Sequence, residues 1–147
     1  MKILIFGLPG SGKTTLAKPF ADLIGAVHIN ADAVRTQYEG PDVTKWDFSP
    51  EGRMQQAQRM RHLADGVVMA GKIAVADFVC PTAEARTQFA PNYTVWMDTI
   101  KEGRFQDTNK MFKSPTHFDY HVKEWFTDTH AQLSEVVKNY MERNNVV

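Results

Sequence analysis

Short apolar runs alternate along this chain with longer stretches in which apolar residues recur at helical spacing. Continuous apolar runs are typical of strands that are buried on both faces of a parallel sheet. Four such runs occupy residues 3–6, 26–29, 73–76 and 93–97, and an edge strand is predicted over residues 122–126. Helices are predicted over residues 13–24, 32–38, 50–70, 81–89 and 129–143. Strands that alternate with helices predict an α/β fold in which helices cover both faces of the sheet.

The apolar positions of the first and last predicted helices identify the sides that should face the core. On the first helix they are Leu16, Ala17, Phe20, Leu23 and Ile24. On the last helix they are Leu133, Val136, Val137 and Tyr140. Each set forms a stripe, so we expect both helices to pack against the sheet along that stripe.

Charge, cysteine content and hydropathy limit the class of protein. Of the 147 residues, 17 are Lys or Arg and 17 are Asp or Glu, so the formal net charge is zero. A balanced surface argues against capture of long nucleic acid, which requires clustered positive charge. Cys80 is the one cysteine, and no apolar run approaches the ~20 residues needed to span a bilayer. We therefore expect a single cytoplasmic domain over residues 1–147, without a membrane partner.

The first predicted strand runs directly into a glycine-rich loop. Residues 7–14 read G-L-P-G-S-G-K-T and fit the phosphate-loop pattern G-x-x-x-x-G-K-S/T in full. Glycines let backbone N–H groups approach phosphate oxygens, and the N-terminus of the following helix adds partial positive charge. In this pattern Lys13 reaches the β- and γ-phosphates and Thr14 binds Mg²⁺. The loop therefore predicts an ATP and Mg²⁺ site formed by Gly7, Pro9, Gly10, Ser11, Gly12, Lys13, Thr14 and Thr15.

Two further polar segments follow strands of the predicted sheet, at the end where such sheets bind ligands. Asp77 closes the third strand and is predicted to hold Mg²⁺, directly or through water. Asp32 follows the second strand and is predicted to take the proton of an acceptor hydroxyl, with a helix N-cap as the alternative role. Arg35, three residues later, is predicted to bind an anionic substrate. Residues 99–121 are polar and aromatic without clear periodicity, which favours a short mobile lid.

These motifs resemble, in the same order, those of the adenylylsulfate (APS) kinases, a family of P-loop kinases. Residues 7–15 resemble the family's G-L-S-G-x-G-K-S-T, residues 30–35 its D-G-D-N-V/I-R, and residues 48–53 its F-S-x-x-D-R. Residues 77–81 resemble its S-F-I-S-P, and residues 97–99 its V-D-T. The resemblance implies a three-layer α/β/α P-loop NTPase fold with a mostly parallel sheet of about five strands.

The resemblance also implies a reaction and roles for individual residues. APS kinases transfer the γ-phosphoryl group of ATP to the 3′-hydroxyl of APS, which gives PAPS. By position, Asp32 activates that hydroxyl, Arg35 and Arg53 hold the phosphosulfate, and the rings of Phe48 and Phe118 stack on the adenine. The complete set of acceptor-site residues implied in this way is Arg35, Phe48, Arg53, Gln56, Phe78, Val79, Lys110 and Phe118. Members of the family often dimerise, so the resemblance also allows a homodimer.

The chain departs from the family pattern at several positions. Asn30 stands in place of the first aspartate of D-G-D, and Gln56 in place of an asparagine on the long helix. Asp77 and Cys80 stand in place of the two serines of S-F-I-S-P. The lid is short and lacks the family's lysine-rich signature. Two alternatives therefore stay open: a 5′-hydroxyl polynucleotide or nucleoside kinase, and a nucleotide-binding module without catalytic activity.

Overall fold

The computed structural model describes residues 1–145 and contains a five-stranded sheet between two layers of helices. The strands are β1 (Lys2–Gly7), β2 (Val27–Asn30), β3 (Ala74–Asp77), β4 (Tyr93–Met97) and β5 (Tyr120–Val122). The helices are α1 (Lys13–Ile24), α2 (Ala31–Glu39), α3 (Pro50–Met69), α4 (Ala83–Phe89), α5 (Gln106–Met111) and α6 (Thr129–Arg143). The strand order is β2-β3-β1-β4-β5, and each neighbouring pair in this sheet is parallel. The predicted three-layer α/β/α fold is therefore confirmed.

Two apolar clusters fill the space between the sheet and the two layers of helices. Because successive side chains of a strand point to opposite faces, β1 supplies both clusters. Ile3 and Ile5 pack with the buried residues of α1 and α6. Leu4 and Phe6 pack with those of α2, α3 and α4. Burial of a large apolar side chain contributes about 1.5–3 kcal/mol, so β1 stabilises both layers at once.

The predicted edge strand over residues 122–126 is wrong in its position. The strand that pairs with β4 is Tyr120–Val122, and it contains the last two residues of the predicted lid. Asp119 anchors it, because its Oδ2 accepts a hydrogen bond from the Thr94 backbone N–H at 2.8 Å. The polar residues Lys123 and Glu124 are exposed beyond the strand. The remainder of the predicted lid contains the short helix α5.

For two side chains, the prediction that they face the core is also wrong. Leu23 on α1 is 46% exposed and Val136 on α6 is 39% exposed. In both helices the next residue along the chain, Ile24 or Val137, packs against the core. One residue turns a helix by about 100°, so a one-residue error in the stripe is enough to move a side chain into solvent.

The carboxyl ends of β1, β2 and β3 lie together at one edge of the sheet. Asn30, the last residue of β2, pairs with Asp77, the last residue of β3. Ile5 of β1 pairs with Asp77 on the other side, and the glycine-rich loop begins two residues beyond Ile5. The predicted phosphate, acceptor and cation segments therefore leave the sheet side by side. Within residues 1–145, no helix has the length and apolar character required to cross a membrane.

Candidate active site

A cavity of about 760 Å³ opens at this edge of the sheet. Its walls come from the phosphate loop, the start of α2, the loop before α3, the first turns of α3, the residues after β3 and the short helix α5. The predicted site residues that line it are Pro9, Gly10, Gly12, Lys13, Thr14, Thr15, Asp32, Arg35, Phe48, Arg53, Gln56, Asp77, Phe78 and Val79. The structure thus brings the candidate ATP, cation and acceptor residues together in one space.

The phosphate loop owes its shape to glycine at two positions. Gly10 and Gly12 adopt φ values of 86° and 97°, in the left-handed region that favours glycine. Gly12 is the N-cap of α1 and has no side chain to accept hydrogen bonds from the first turn. The N–H groups of that turn are therefore available to an anion. Gly7 and Ser11 are buried below the loop, outside the cavity lining.

Lys13 lies in the cavity with its ammonium group folded towards the loop. Its Nζ donates a hydrogen bond to the Leu8 carbonyl oxygen at 3.0 Å. Burial lowers the pKa of Lys13 to about 8, although the nearby carboxylates of Asp77 and Asp32 favour its charged form. A cation that is desolvated in this way gains most from a strongly anionic ligand, and a polyphosphate at the loop would be such a ligand.

Thr14 and Asp77 place two oxygen ligands beside the loop. Thr14 Oγ1 donates to Asp77 Oδ1 at 3.1 Å, and the Asp77 carboxylate is buried. Asn30 Nδ2 donates to Thr14 Oγ1 at 3.3 Å. A hydroxyl and a carboxylate suit Mg²⁺, which prefers oxygen ligands. Within residues 1–145 no group of three or more His, Cys, Asp or Glu side chains is placed to hold a metal, so Mg²⁺ here would need phosphate and water oxygens as well.

The acceptor side of the cavity contains two arginines with unmet hydrogen-bonding capacity. Arg35 Nη1 donates to Glu39 Oε2 and to the Asp47 carbonyl oxygen, both at 2.8 Å. Arg53 Nη2 donates to Thr108 Oγ1 at 2.8 Å. Arg35 Nη2 and Arg53 Nε are buried and find no hydrogen-bond partner among residues 1–145. A buried donor without a partner is costly, so both atoms favour an anionic ligand.

The two guanidinium groups also share one aromatic ring. Their central carbons lie 4.6 Å (Arg35) and 4.8 Å (Arg53) from the centroid of Phe48. Burial, together with the charge of Arg35, lowers the pKa of Arg53 to about 10. Arg35 has a carboxylate partner in Glu39, whereas none of the ion pairs among residues 1–145 includes Arg53. Positive charge is thus concentrated around Phe48.

Asp32 lies in the first turn of α2 and lines the cavity. The N-cap of this helix is Asn30, whose Oδ1 accepts a hydrogen bond from the Ala33 backbone N–H at 3.0 Å. The alternative role of Asp32 as an N-cap is therefore wrong. Its carboxylate is close enough to Lys13 to favour the charged ammonium. It is left available to a ligand between the phosphate loop and the acceptor arginines.

The structure does not bring Lys110 and Phe118 to the cavity. Lys110 is exposed in the last turn of α5, where Asp107 and Thr108 supply the cavity wall instead. Lys110 follows the buried Thr108 by two residues, or about 200° of helical rotation, so these two side chains point to opposite sides of α5. Phe118 packs against Trp96 at 5.6 Å between ring centroids, next to β4 and β5. Both side chains therefore lie outside the cavity lining, and the substrate-binding roles that the resemblance implies for them stay predictions.

Several cavity residues escaped the sequence analysis. Trp46 lines the cavity beside Phe48, and its Nε1 donates to the Gly40 carbonyl oxygen at 2.8 Å. Arg104 and Phe105 contribute from the lid. These residues lie in segments without periodic patterning, so only their nearness in sequence to candidate residues could have indicated them. Trp125 does not line the cavity, but its indole lies against Gly12 of the phosphate loop.

The chain resembles known proteins in most of the segments that form this cavity. A family model described as an AAA domain matches residues 3–94. The chain belongs to the AAA domain family. The part of this AAA domain protein that matches includes the phosphate loop, Asp32, Arg53 and Asp77, and excludes the lid and α6.

One relative of known sequence gives a more specific resemblance than the family model does. The chain is 31% identical over 85 residues to the "Probable adenylyl-sulfate kinase" of Aeropyrum pernix. The aligned stretch covers 57% of this AAA domain protein and 46% of the relative, so the chain spans about half of that relative's length. The resemblance to APS kinases that the motifs predicted is therefore confirmed as a resemblance.

Solved structures with the same fold include kinases of different substrates. The Mycobacterium tuberculosis APS kinase CysC, in complex with AMPPNP and APS, matches with a TM-score of 0.74 and 18% identity, over 96% of each chain. A sugar kinase from a Janibacter species matches with a TM-score of 0.68 and 18% identity, over 96% of this chain and 94% of that one. Shikimate kinase from Aquifex aeolicus matches with a TM-score of 0.64 and 16% identity, over 99% of each. These likenesses establish a P-loop kinase fold for this AAA domain protein, and they do not select an acceptor.

Proposed function

We propose that this protein is an ATP-dependent kinase that phosphorylates a hydroxyl group of a small anionic nucleotide, with APS as the acceptor. The observation that carries the proposal is a pair of arginines, Arg35 and Arg53, in the cavity that also contains the phosphate loop; each has one buried nitrogen without a hydrogen-bond partner among residues 1–145. A phosphoryl donor and an anionic acceptor would therefore meet there.

The donor half of the proposed site binds ATP through the phosphate loop. The exposed N–H groups of α1 and the Lys13 ammonium hold the phosphates in position. Thr14 and Asp77 are the residues that would hold Mg²⁺, which would neutralise charge on the phosphate oxygens when bound. Lys13 is the residue of this half best suited to stabilise charge on the transferring group.

The acceptor half binds the anion and the ring of the second substrate. Arg35 and Arg53 form charge-assisted hydrogen bonds with its anionic group. Phe48 and Trp46, whose ring centroids lie 6.3 Å apart, supply an aromatic wall against which a base can stack. APS has both features, and the Aeropyrum pernix relative carries the name of an adenylyl-sulfate kinase.

Asp32 is the proposed general base. It takes the proton of the acceptor hydroxyl while the hydroxyl oxygen attacks the γ-phosphorus. The bond between that phosphorus and the oxygen bridging to the β-phosphate breaks, and ADP leaves with the electron pair. Positioning of the two substrates supplies the rest of the rate enhancement.

A coupled assay of ADP release tests the proposal. We expect release that depends on APS, and Asp32→Asn to lower turnover by ~10²–10⁴-fold while ADP affinity is retained. Asp22→Asn, on the exposed side of α1 outside the cavity, is the matched control and should behave as the parent protein. ADP release at the same rate with and without APS would contradict the assignment of APS as the acceptor.

The same assay separates the alternatives. Nucleosides, short 5′-hydroxyl oligonucleotides and shikimate should give no stimulation if APS is the acceptor. If a 5′-hydroxyl oligonucleotide is the only compound that stimulates ADP release, the oligonucleotide takes the place of APS as the proposed acceptor, and the assignment as a kinase stands. Retained ADP binding without turnover on any acceptor would favour the nucleotide-binding module.

A further inference from the structure

Strand β2 carries a histidine that has no role in the site described above. His28 and Asn30 are two residues apart, so their side chains project from the same face of β2. Asn30 pairs with Asp77 in the neighbouring strand, which brings that face next to the Asp77 carboxylate. His28 Nε2 is hydrogen-bonded to Asp77 Oδ2.

The two oxygens of Asp77 consequently have different partners. Oδ1 accepts from Thr14 Oγ1 at 3.1 Å, on the side of the phosphate loop. Oδ2 is engaged by His28, on the side of β2. Asn30 Nδ2 lies 3.5 Å from both oxygens, at the outer limit of a hydrogen bond, so it does not fix the carboxylate strongly. His28 is therefore the principal partner of Oδ2, and with Thr14 on Oδ1 it sets the orientation of Asp77.

Burial makes this contact effective. Asp77 is 2% exposed, and the side chain of His28 is 19% exposed. Hydrogen bonds in such surroundings are stronger than in water, and a buried carboxylate keeps the orientation that its partners impose. Because His28 engages Oδ2, Oδ1 is left to face Thr14.

We propose that His28 is a positioning residue for the cation site: it holds Asp77 so that Oδ1 and Thr14 Oγ1 together face a divalent cation bound with the nucleotide. This inference rests on the ATP and Mg²⁺ half of the proposed function and is independent of the acceptor. Removing an outer partner of a metal-binding carboxylate typically weakens metal binding by ~10–100-fold.

The chain contains a matched histidine–aspartate pair outside the cavity. His121 Nε2 lies 2.9 Å from Asp98 Oδ2, and the two side chains are 20% and 17% exposed. Neither residue lines the large cavity. A substitution of His121 therefore removes a similar contact of similar burial without touching Thr14 or Asp77.

The experiment titrates Mn²⁺ into the complex of the full chain with ADP and measures free Mn²⁺ by electron paramagnetic resonance. We expect His28→Leu to weaken Mn²⁺ binding by ~10–100-fold, with ADP affinity in the presence of EDTA unchanged. His28→Gln keeps an N–H donor and should recover most of the affinity. His121→Leu should bind Mn²⁺ as the parent protein does.

Equal Mn²⁺ affinity in His28→Leu and His121→Leu would overturn the inference and leave the proposed function intact. A parent protein that binds no ADP would overturn the proposed function, and this inference with it. If His28→Leu does not fold, His28→Asn takes its place, because its shorter amide cannot span the same gap. Weak Mn²⁺ binding by His28→Asn supports the inference, and parent-like binding overturns it.

Discussion

The donor and acceptor halves of the cavity are built in different ways. Apart from Asp77, the proposed donor half is a single run of nine residues, 7–15, from the end of β1 into the first turn of α1, and its shape comes from backbone conformation at Gly10 and Gly12. The proposed acceptor half combines α2, the loop before α3, α3 itself and the short helix α5. The shape of a loop formed by consecutive residues is expected to tolerate substitutions elsewhere in the chain. The shape of a surface formed by several helices depends on how those helices pack.

The two halves also treat positive charge differently. Lys13 directs its ammonium to a main-chain carbonyl oxygen of its own loop. Arg35 and Arg53 lie on different helices and approach the same ring, and burial together with the charge of Arg35 lowers the pKa of Arg53. Bringing these two charges together is unfavourable without an anion. The comparison predicts that specificity for the proposed acceptor depends on the half that is assembled from several helices.

Truncation of Arg53 should give the largest effect confined to the acceptor half. Arg53→Ala removes a charge-assisted hydrogen bond worth ~1.5–3 kcal/mol, so the KM for APS should rise by ~10–100-fold. ADP affinity, measured by calorimetry, should stay the same. Arg61→Ala is the control on the same helix, because Arg61 donates to the Gln88 carbonyl oxygen away from the cavity. If Arg53→Ala weakened ADP binding by the same factor as it raised the KM for APS, the distinction between the donor and acceptor halves would be wrong.

The aromatic residues provide a sharper test of the acceptor half. Phe48→Ala should raise the KM for APS by about tenfold, because stacking on a base contributes ~1–3 kcal/mol. Phe118→Ala should leave this KM within about twofold of the parent value, since Phe118 packs against Trp96 outside the cavity. Steady-state kinetics with APS as the variable substrate measure both. A large effect of Phe118→Ala alone would restore the role that the resemblance implied for it.

The smallest expected effect concerns Lys13 and the stability of the ligand-free protein. Burial lowers the pKa of Lys13 from 10.5 to about 8, so the charged ammonium is less favourable in the folded than in the unfolded state. Below pH 8 both states are protonated and the cost of burying the ammonium is present in full, so Lys13→Met should unfold with a higher free energy than the parent. Between pH 8 and 10.5 the unfolded state binds the additional proton, the stability of the parent rises, and the difference between the two proteins should shrink.

Urea denaturation of both proteins at several pH values measures this difference. Lys18→Met, at an exposed position of the same helix, is the control and should show no comparable trend. A difference that grows with pH would mean that Lys13 is stabilised by its surroundings, contrary to the desolvation argument.

The sequence was most informative where structure is local. The strands, the phosphate loop and the segment with Asp32 and Arg35 follow from apolar runs and short motifs, and the structure places them together. Parallel strands meet at one edge, so the position of Asp77 beside Asn30 also followed from the fold class.

The sequence was least informative where position depends on tertiary packing. Trp46 reaches the cavity through a loop that has no periodic pattern. Only the resemblance predicts roles for Lys110 and Phe118, and the structure places Lys110 on the exposed side of α5 and Phe118 against Trp96 of β4. That residues 1–147 form one domain and that residues 99–121 act as a lid remain predictions.

Isothermal titration of APS into the protein loaded with ADP and Mg²⁺ tests the central claim most directly. The account predicts saturable binding with a micromolar Kd that is lost in Arg35→Ala and Arg53→Ala, while all three proteins retain ADP. Absence of APS binding by the parent protein that still holds ADP would contradict the acceptor assignment.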